Sequence, residues 1–238
     1  MLAQQSHATK NGSLVSGHDD ACARAAGRFA ERWLRIYAER KLRGDPIFAA
    51  AYELLRESNL PLLDLGCGVG LLGFYLRERN FGSAICGIDR DGRKIARARA
   101  AARDVYRELD FKEQDVSEPM AQTGNVVLFD LLHYLLPNDQ SRLLERLGAR
   151  VAADGILMIR DCPRDENARF WLTHLAERFA QTTTWNINVP LHYPTRDQIC
   201  AAFPEDQFSR TIRPLWGRTP FNNHLFVFRR CQAAVAPA

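Results

Sequence analysis

Four glycines within eight positions follow a short apolar run, in the stretch LLDLGCGVGLLG of residues 62–73. Glycine is needed where the backbone turns sharply or lies against a ligand, because a Cβ would block either arrangement. A loop of this kind between a strand and a helix can hold a nucleotide-like ligand. Two glycine patterns overlap in the stretch, and each predicts a different ligand.

The first pattern starts at Gly68 and reads GVGLLG, which satisfies the GxGxxG fingerprint of dinucleotide sites. Asp89, at the end of the next predicted strand, would be the acidic residue that such sites place on a ribose. In those sites the helix start faces a pyrophosphate, which a carboxylate just before the turn would repel. The pattern leaves a nicotinamide-dependent oxidoreductase open as an alternative.

The second pattern includes Asp64, before the first glycine, and reads Asp-x-Gly-x-Gly-x-Gly over residues 64–70. A carboxylate at that point favours a ligand that carries positive charge and no phosphate. S-adenosylmethionine has these properties, because its ammonium and sulfonium groups lie beside an adenosine whose ribose hydroxyls Asp89 could hold. We therefore expect S-adenosylmethionine as cofactor and S-adenosylhomocysteine as its product.

The residues Asp64–Gly70 with Gly87-Ile88-Asp89 resemble the first two signature regions of class I S-adenosylmethionine-dependent methyltransferases. The resemblance covers about residues 60–230. It implies an α/β fold with a doubly wound, mostly parallel seven-stranded sheet of Rossmann-like type, whose last strand is antiparallel. It also implies a set of cofactor-binding residues, namely Asp64, Gly66, Cys67, Gly68, Gly70, Asp89, Arg90, Asp115, Val116 and Asp130.

Two of these residues have simpler interpretations. Cys67 lies between two glycines, where a small side chain in a tight loop is expected rather than a catalytic nucleophile. Asp115 follows the third predicted strand, where it could instead serve as a helix N-cap.

A histidine, His133, follows the predicted fourth strand in the segment DLLHYLL. The segment resembles the post-strand turn of the same methyltransferases, which directs Asp130 to the methionine end of the cofactor and His133 to the acceptor. A phenol with a pKa near 10 is protonated at neutral pH, so a neutral imidazole within hydrogen-bond reach would assist its methylation. We predict that His133 is the catalytic base; a histidine that only bonds its own turn is the alternative.

The acceptor is expected to be an oxygen atom on a small molecule or on a carrier-bound acyl chain. The turn after the fourth strand lacks the Asn/Asp-Pro-Pro-aromatic pattern typical of base N-methylation. An in-line methyl transfer mainly requires positioning and no metal. The residues expected to contact the acceptor are Tyr134, Arg160, Asp161, His192, Tyr193, Trp216 and Asn222. An ion pair that fixes the loop is the alternative role of Arg160 and Asp161.

A narrower resemblance concerns bacterial methyltransferases of aryl-polyene and xanthomonadin-type pigment biosynthesis. The segments that carry it are KLRGDPIF (41–48), LLHYL (131–135), IRD (159–161) and TPFNN (219–223). It implies a phenolic aryl head group or its polyene acyl derivative as acceptor, with an acyl carrier protein as a partner. It also implies that Lys41 or Arg43 reaches the cofactor carboxylate; a solvated helix end is the alternative.

The predicted elements that position these residues alternate between strand and helix. The strands are Leu62–Leu65, Ser83–Ile88, Leu109–Glu113, Val126–Phe129 and Gly155–Ile159, and the helices are Leu71–Arg79, Gly92–Arg107, Asp139–Val151 and Glu166–Ala180. This alternation predicts a parallel sheet that is covered on both faces. Two further strands, Phe208–Leu215 and His224–Arg229, have no helix between them and are predicted to pair as an antiparallel hairpin.

Apolar residues recur at helical spacing from His18 to Arg43, which predicts one amphipathic helix that ends at Gly44. Asp45-Pro46 then starts a second helix. The apolar stripe of the first helix suits either a lid or a contact between two copies of the chain. The predicted organisation is a flexible leader at 1–17, a helical cap at 18–58, the methyltransferase domain at 59–232 and a flexible tail at 233–238.

Composition narrows the functional classes. The chain has 238 residues and a net charge of +4, spread along its length, which argues against a nucleic-acid partner. No apolar run approaches the roughly 20 residues of a membrane span, and a secretory signal is not evident, so a cytoplasmic protein is expected. The six cysteines show no zinc-like spacing and are interpreted as reduced thiols. A protein or RNA methyltransferase and a cofactor-binding protein without catalysis remain alternatives.

Overall fold

The computed structural model describes residues 6–165, 168–183, 190–217 and 219–231. The helices are α1 (Ser6–Gly27), α2 (Arg32–Gly44), α3 (Ile47–Leu55), α4 (Leu71–Glu78), α5 (Gly92–Ala102), α6 (Pro137–Gly148), α7 (Ala168–Thr183) and α8 (Arg196–Ala201). The strands are β1 (Leu62–Leu65), β2 (Ile85–Asp89), β3 (Leu109–Glu113), β4 (Asn125–Phe129), β5 (Ile156–Asp161), β6 (Phe208–Pro214) and β7 (His224–Arg230). A short 3₁₀ turn covers Leu132–Tyr134.

The seven strands form one sheet in the order β3-β2-β1-β4-β5-β7-β6. Strands β1 to β5 pair in parallel, whereas β7 pairs antiparallel with both β5 and β6. The predicted fold class, a mostly parallel seven-stranded sheet with an antiparallel C-terminal hairpin, is therefore confirmed. No helix in the described part of the chain is both long and apolar enough to cross a membrane.

The central strands β1, β2, β4 and β5 are buried along almost their whole length because both faces of the sheet are covered. Successive residues point to opposite faces. Leu62 and Val127 therefore belong to one core, formed with α1 to α5, while Leu63 and Val126 belong to a second core, formed with α6 and α8. The strand residues before the glycine loop are buried, and the loop itself emerges at the carboxyl edge of the sheet.

The antiparallel direction of β7 brings a loop to that same edge. His224, the first residue of β7, pairs with Asp161, the last residue of β5. The connection between β6 and β7, residues 215–223, therefore lies beside the carboxyl ends of the parallel strands. In open α/β sheets, ligands bind outside these carboxyl ends.

The prediction of one helix from His18 to Arg43 is wrong, because α1 ends at Gly27 and α2 begins at Arg32. The amide groups of Arg28 and Phe29 bond to the carbonyls of Ala25 and Ala26, which closes α1 with a turn. Apolar spacing does not reveal this break, since α2 buries its own stripe. Helix α1 also starts at Ser6, within the segment expected to be a flexible leader.

The end of one helix and the presence of another also differ from the predictions. Helix α5 ends at Ala102 rather than at Arg107, and Asp104 after it adopts a left-handed backbone conformation that a helix cannot continue. Helix α8 was not predicted; Thr195 and Gln198 form a capping box at its start. The domain boundaries stay predictions, and residues 1–5 and 232–238 lie outside the described residues.

We expect Gly70→Ala to lower the free energy of unfolding by about 2–4 kcal/mol. Gly70 has a φ of +82°, and a Cβ there would lie 2.4 Å from the ring of Phe111. Urea denaturation followed by far-UV circular dichroism measures the loss. Gly82→Ala is the matched control, because a Cβ at Gly82 meets no atom within 4 Å; equal effects of both variants would contradict this account.

Candidate functional site

A cavity of about 720 Å³ lies at the carboxyl edge of β1 to β4, and we name it the first cavity. It contains eight residues that the sequence assigned to a site: Gly66, Gly68, Asp89, Arg90, Asp115, Val116, Asp130 and Tyr134. The parallel strands end side by side, so residues that are distant in sequence line one cleft.

The Asp89 carboxylate is fixed at the floor of the first cavity by backbone amides. The amide of Gly68 donates to Asp89 Oδ2 over 2.9 Å, and the amide of Asp91 donates to Oδ1 over 2.9 Å. Gly68 has a φ of +58°, and a Cβ there would point into open space. A side chain at Gly68 would therefore be strained and would enter the volume available to a ligand.

Asp64 lies behind the loop and does not line the first cavity. Its residue surface is only 4% exposed. Burial, with the nearby charge of Asp89, raises the pKa of the Asp64 carboxyl to about 7. The expectation of a fully ionised carboxylate facing the ligand is therefore wrong: at neutral pH Asp64 is partly protonated, because the folded chain removes it from water.

Cys67 and Gly70 also do not line this cavity. The sulfur of Cys67 lies 2.9 Å from where a Cβ on Gly87 would be, so the thiol packs against β2. Burial raises the pKa of the Cys67 thiol well above its usual value, so no nucleophilic thiolate is available. Gly70 faces the ring of Phe111, which makes it a packing residue rather than a ligand contact.

The lining of the first cavity is rich in carboxylates. Five acidic residues (Asp89, Asp91, Glu113, Asp115 and Asp130) and three basic residues (Arg90, Arg93 and Lys94) line it. An acidic excess disfavours a diphosphate and suits a cationic ligand. Asp115 also accepts the amide of Ser117 over 2.8 Å, which closes a turn. No helix lies between β3 and β4, where every residue is described, so the alternative of a helix N-cap is wrong.

A second cavity of about 310 Å³ adjoins the first. Its described lining comprises Arg40, Lys41, Gly44, Asp45, Pro46, Asp130, His133, Cys162, Thr173, Tyr193, Leu215, Thr219, Phe221 and Asn223. Asp130 lines both cavities, so the two spaces meet at the end of β4. Among the described residues, no group of three or more His, Cys, Asp or Glu side chains is arranged to hold a metal.

His133 and Asp161 form a buried pair at the second cavity. The Nδ1 atom of His133 lies 2.8 Å from Asp161 Oδ1, and both side chains are at least 96% buried. Tyr193 stacks on the His133 ring with a centroid separation of 5.5 Å. Asp161 was expected to contact the acceptor; instead it contacts His133 and does not line either cavity.

The turn that carries His133 is held by a buried glutamine. Gln140 Nε2 donates to the carbonyl of Leu132 over 2.9 Å and to the carbonyl of His192 over 2.5 Å. The amide of His192 donates to the carbonyl of His133 over 2.8 Å. These bonds join the His133 turn to the segment before α8, which fixes the imidazole relative to the sheet.

Arg160 joins the sheet to the N-terminal helices. Its guanidinium donates to Asp130 Oδ1 over 2.8 Å, also contacts Asp130 Oδ2, and reaches both carboxylate oxygens of Asp45 at 2.5 and 2.6 Å. Lys41 Nζ lies 2.8 Å from Asp45 Oδ2. We name these four residues the charge cluster. The ion-pair alternative for Arg160 is therefore present, and the guanidinium does not line either cavity.

The ionisation of the charge cluster follows from its mutual contacts. Burial disfavours the charge of Asp45, but Arg160 and Lys41 outweigh burial and hold the pKa of its carboxyl at about 2. Burial likewise opposes the charge of Lys41, and Asp130 and Asp45 outweigh it, so the pKa of Lys41 is raised. Asp45 and Lys41 therefore stay charged at neutral pH, and Lys41 cannot serve as a base.

The remaining predicted residues lie away from the two cavities or only partly in them. Arg43 pairs with Asp19 and Glu39 at the surface, so the expectation that it reaches the cofactor is not met. Lys41 lines the second cavity rather than the first. Trp216 lies under the guanidinium of Arg169, outside both cavities.

Asn222 and His192 were also expected to contact the acceptor. Asn222 is fully buried, and its backbone N–H donates to Thr173 Oγ1 over 2.8 Å. His192 lines a separate cavity, which it shares with Tyr193 and Trp171. Of the expected acceptor contacts, Tyr193 is the one that lines the second cavity, while Tyr134 lines the first.

Sequence reasoning missed Asp45 and Glu113. Asp45 was interpreted only as a helix start; its carboxylate does accept the amide of Ile47 over 3.1 Å, but the same group also anchors Arg160. Glu113 ends β3 and faces the first cavity, next to Gly92. Its position at the carboxyl end of a predicted parallel strand was a usable signal.

Comparisons with known proteins agree with this geometry. A family model described as a methyltransferase domain matches residues 34–211. A carboxy-S-adenosyl-L-methionine synthase from Wolinella succinogenes is 29% identical over 145 residues, which are 56% of this chain and 60% of that protein. A second synthase of that name, from Aliivibrio fischeri, is 28% identical over 52% of this chain and 54% of its own length. The match thus spans little more than half of each relative.

Solved structures share the fold at low sequence identity. The magnesium protoporphyrin IX methyltransferase from Synechocystis with bound S-adenosylhomocysteine has a TM-score of 0.64 at 15% identity, over 92% of this chain and 99% of that chain. An N-methyltransferase from Bradyrhizobium japonicum has a TM-score of 0.58 at 13% identity, over 91% of this chain and 99% of that chain.

We expect Asp64→Asn to change how stability depends on pH. A carboxyl whose pKa is raised in the folded state destabilises the fold progressively as pH rises from about 4 through about 7, because its charged form is disfavoured there. The variant lacks this loss, so its stability relative to the natural protein should increase over that range by about 4 kcal/mol. Chemical denaturation at about pH 4, 6 and 8, which lie at the start of, within and above this range, measures the difference. A difference that does not vary with pH would contradict the raised pKa.

Proposed function

The chain belongs to the methyltransferase domain family, as a class I enzyme that uses S-adenosylmethionine, and from that premise we propose that it methylates a phenolic oxygen of a small aromatic or carrier-bound acyl acceptor. The observation that carries the proposal is that His133, held by Asp161, lines a cavity that shares Asp130 with the first cavity.

The first cavity fits the cofactor. Its volume is about 720 Å³, a Cβ at Gly68 would enter it, and its lining has more carboxylates than cations. Asp89 would hold the ribose hydroxyls, while Val116 and Leu135 offer apolar surface for the adenine. When bound, S-adenosylmethionine supplies a methyl group on a positively charged sulfur.

His133 is the residue that we assign as the base. The other titratable residues that line the second cavity are Arg40, Lys41, Asp45, Asp130, Cys162 and Tyr193. The two carboxylates are engaged with Arg160, and the two cations have no lone pair to offer. Cysteine and tyrosine are acids at neutral pH. An imidazole can accept a proton there.

Asp161 positions that base. In the tautomer that we propose, His133 Nδ1 donates its proton to Asp161 Oδ1 across the 2.8 Å contact. The lone pair of the neutral imidazole is then on Nε2, which takes the proton of the acceptor hydroxyl as the oxygen–methyl bond forms. Asp161 stabilises the imidazolium that results, and the half-buried rings of Tyr193 and Phe221 shield the step from water.

The second cavity supports an aromatic acceptor. Tyr193 and Phe221 provide flat surfaces, and Leu215 adds aliphatic surface. Arg40 lies at the mouth, where a carboxylate or a carrier-linked group could be met by charge. These features, with the segments that resemble pigment-pathway methyltransferases, support an aryl or aryl-polyene acceptor that is free or attached to an acyl carrier protein.

The names of the sequence relatives raise a second candidate, the synthesis of carboxy-S-adenosylmethionine. That product has one more carboxylate than S-adenosylmethionine, and a site for it requires an uncommitted cation. Lys41 and Arg160 are paired with Asp45 and Asp130. Arg90 of the first cavity and Arg40 of the second cavity form no ion pair within the described part of the chain, so the lining does offer cations for such a product. Mass spectrometry of the nucleotide product after turnover distinguishes this candidate from methyl transfer.

Cofactor binding is tested by isothermal titration calorimetry. We expect S-adenosylhomocysteine to bind and NADPH not to bind. Asp89→Asn should weaken the binding by about 10- to 100-fold, because it removes a charged hydrogen-bond acceptor. Asp110→Asn, on the exposed side of β3, is the matched control and should leave the affinity unchanged. Binding of NADPH without S-adenosylhomocysteine would support an oxidoreductase instead.

Methyl transfer is tested with labelled S-adenosylmethionine and hydroxylated aryl acids, both free and as carrier-protein thioesters. We expect label on the phenolic oxygen. With the best acceptor, His133→Ala should lower kcat by about 10²- to 10⁴-fold while KM changes little. The residual rate should rise with pH towards the acceptor pKa near 10, because hydroxide then replaces the lost base.

Two variants complete this test. Asp161→Asn should also lower kcat, since the amide no longer stabilises the imidazolium. His18→Ala removes a histidine of α1 that lines neither cavity and should retain the natural rate. Full activity of His133→Ala at every pH would remove the catalytic role of His133, and transfer to nitrogen or carbon alone would remove the assignment of the acceptor.

A further inference from the structure

Helix α2 has an apolar face in addition to the one that it buries. Leu34, Ala38 and Leu42 pack into the core. On the opposite side, Trp33, Ile36 and Tyr37 are 49%, 44% and 49% exposed. Residues that are three and four positions apart share one side of a helix, so these three side chains form one surface. We name it the outer face of α2.

Positive charge surrounds the outer face. Helix α2 contains five basic residues and one acidic residue, Glu39. Lys41 and Arg43 are engaged in ion pairs, whereas Arg32, Arg35 and Arg40 form no ion pair within the described part of the chain. The guanidinium of Arg97, from α5, lies 5.8 Å from the Trp33 ring centroid, and its charge is paired with Glu31 over 3.0 Å.

The outer face adjoins the mouth of the second cavity. Arg40 follows Tyr37 by one helical turn and lines that cavity together with Lys41. A surface that binds α2 would therefore lie beside the entrance through which an acceptor reaches His133.

We propose that the outer face of α2 docks on an anionic lipid surface. Tryptophan and tyrosine favour the boundary between lipid headgroups and acyl chains, and arginines can keep their charge among the headgroups while their stems cover apolar surface. Each basic residue near an anionic membrane contributes about a fivefold gain in binding. The anionic lipid headgroups supply the negatively charged partners for Arg32, Arg35 and Arg40, which form no ion pair within the described part of the chain.

A second copy of the chain fits this surface less well. Two copies of the same face would bring their unpaired arginines together, which opposes association. The area of three half-exposed side chains on one helix is also much smaller than the roughly 800 Å² that each partner buries in a stable complex. Combined with the proposed function, membrane docking places the acceptor cavity at the lipid surface, where amphipathic aryl or acyl acceptors concentrate.

The test is flotation of the full chain with vesicles. We expect the protein to float with vesicles that contain phosphatidylglycerol, to remain unbound with pure phosphatidylcholine, and to be released as salt rises from about 0.05 to about 0.5 M. Ile36→Glu should abolish flotation, and Arg32→Gln with Arg35→Gln should weaken it about 25-fold, at about fivefold per residue.

Matched controls separate this surface from a general effect of charge. Ile212→Glu places the same charge on an exposed isoleucine of β6, and Arg142→Gln removes an exposed arginine of α6; both should float like the natural protein. S-adenosylhomocysteine binding by calorimetry reports the integrity of each variant. The vesicle test needs no methyl transfer, so its failure leaves the proposed function standing, and the reverse also holds.

Three outcomes would overturn the proposal. One is equal flotation of Ile36→Glu and the natural protein. The second is equal binding to neutral and anionic vesicles. The third is failure of the natural protein to float with anionic vesicles. In that case, a dimer in sedimentation that Ile36→Glu dissociates would identify a second copy as the occupant, and binding of an acidic carrier-protein probe would identify a protein partner. Failure to float with neither result also overturns the proposal.

Discussion

The buried guanidinium of Arg160 is the constraint on which the site depends. A charge this deep in the fold must be neutralised, and removing a partner from a buried pair typically costs about 3–5 kcal/mol. Asp130 at the end of β4 and Asp45 between α2 and α3 supply the two carboxylates. Satisfying one arginine therefore fixes the N-terminal helices over the carboxyl edge of the sheet, and it places Asp130 between the two cavities.

The position of Asp130 requires a strained backbone conformation. Asp130 has a φ of +53°, a conformation that residues other than glycine seldom adopt. Its amide donates to the carbonyl of Arg160 over 2.9 Å, so the backbone and the side chain of Asp130 are held by the same partner residue. The turn that follows then presents His133 to Asp161 on the neighbouring strand. Strain at the boundary between two ligand spaces is typical of functional sites, where surrounding contacts maintain an unfavourable conformation.

The carboxylates near the glycine loop divide their roles according to burial. Asp89 receives two amide hydrogen bonds and keeps a surface on the first cavity. Asp64 is only 4% exposed, and burial with the nearby charge of Asp89 raises its pKa to about 7. The carboxylates that line the first cavity are therefore Asp89, Asp91, Glu113, Asp115 and Asp130, and Asp64 is not among them. The electrostatic preference inferred from the motif stays a prediction, and it now depends on the cavity lining.

The sequence by itself determined where the strands lie along the chain. Apolar runs, the positions of glycine and proline, and the helix-free interval before His224 identified every strand to within a few residues, because these signals are local. It also located Asp89, Asp130 and His133, since each follows a predicted parallel strand. Only the tertiary structure decided that Asp161 bonds His133, that Arg160 bonds Asp45, and that Arg43 remains at the surface. These outcomes depend on which side chains of β4, β5 and α2 come into contact and on how far each charged group is desolvated. The spacing of residues along the chain does not determine either of these.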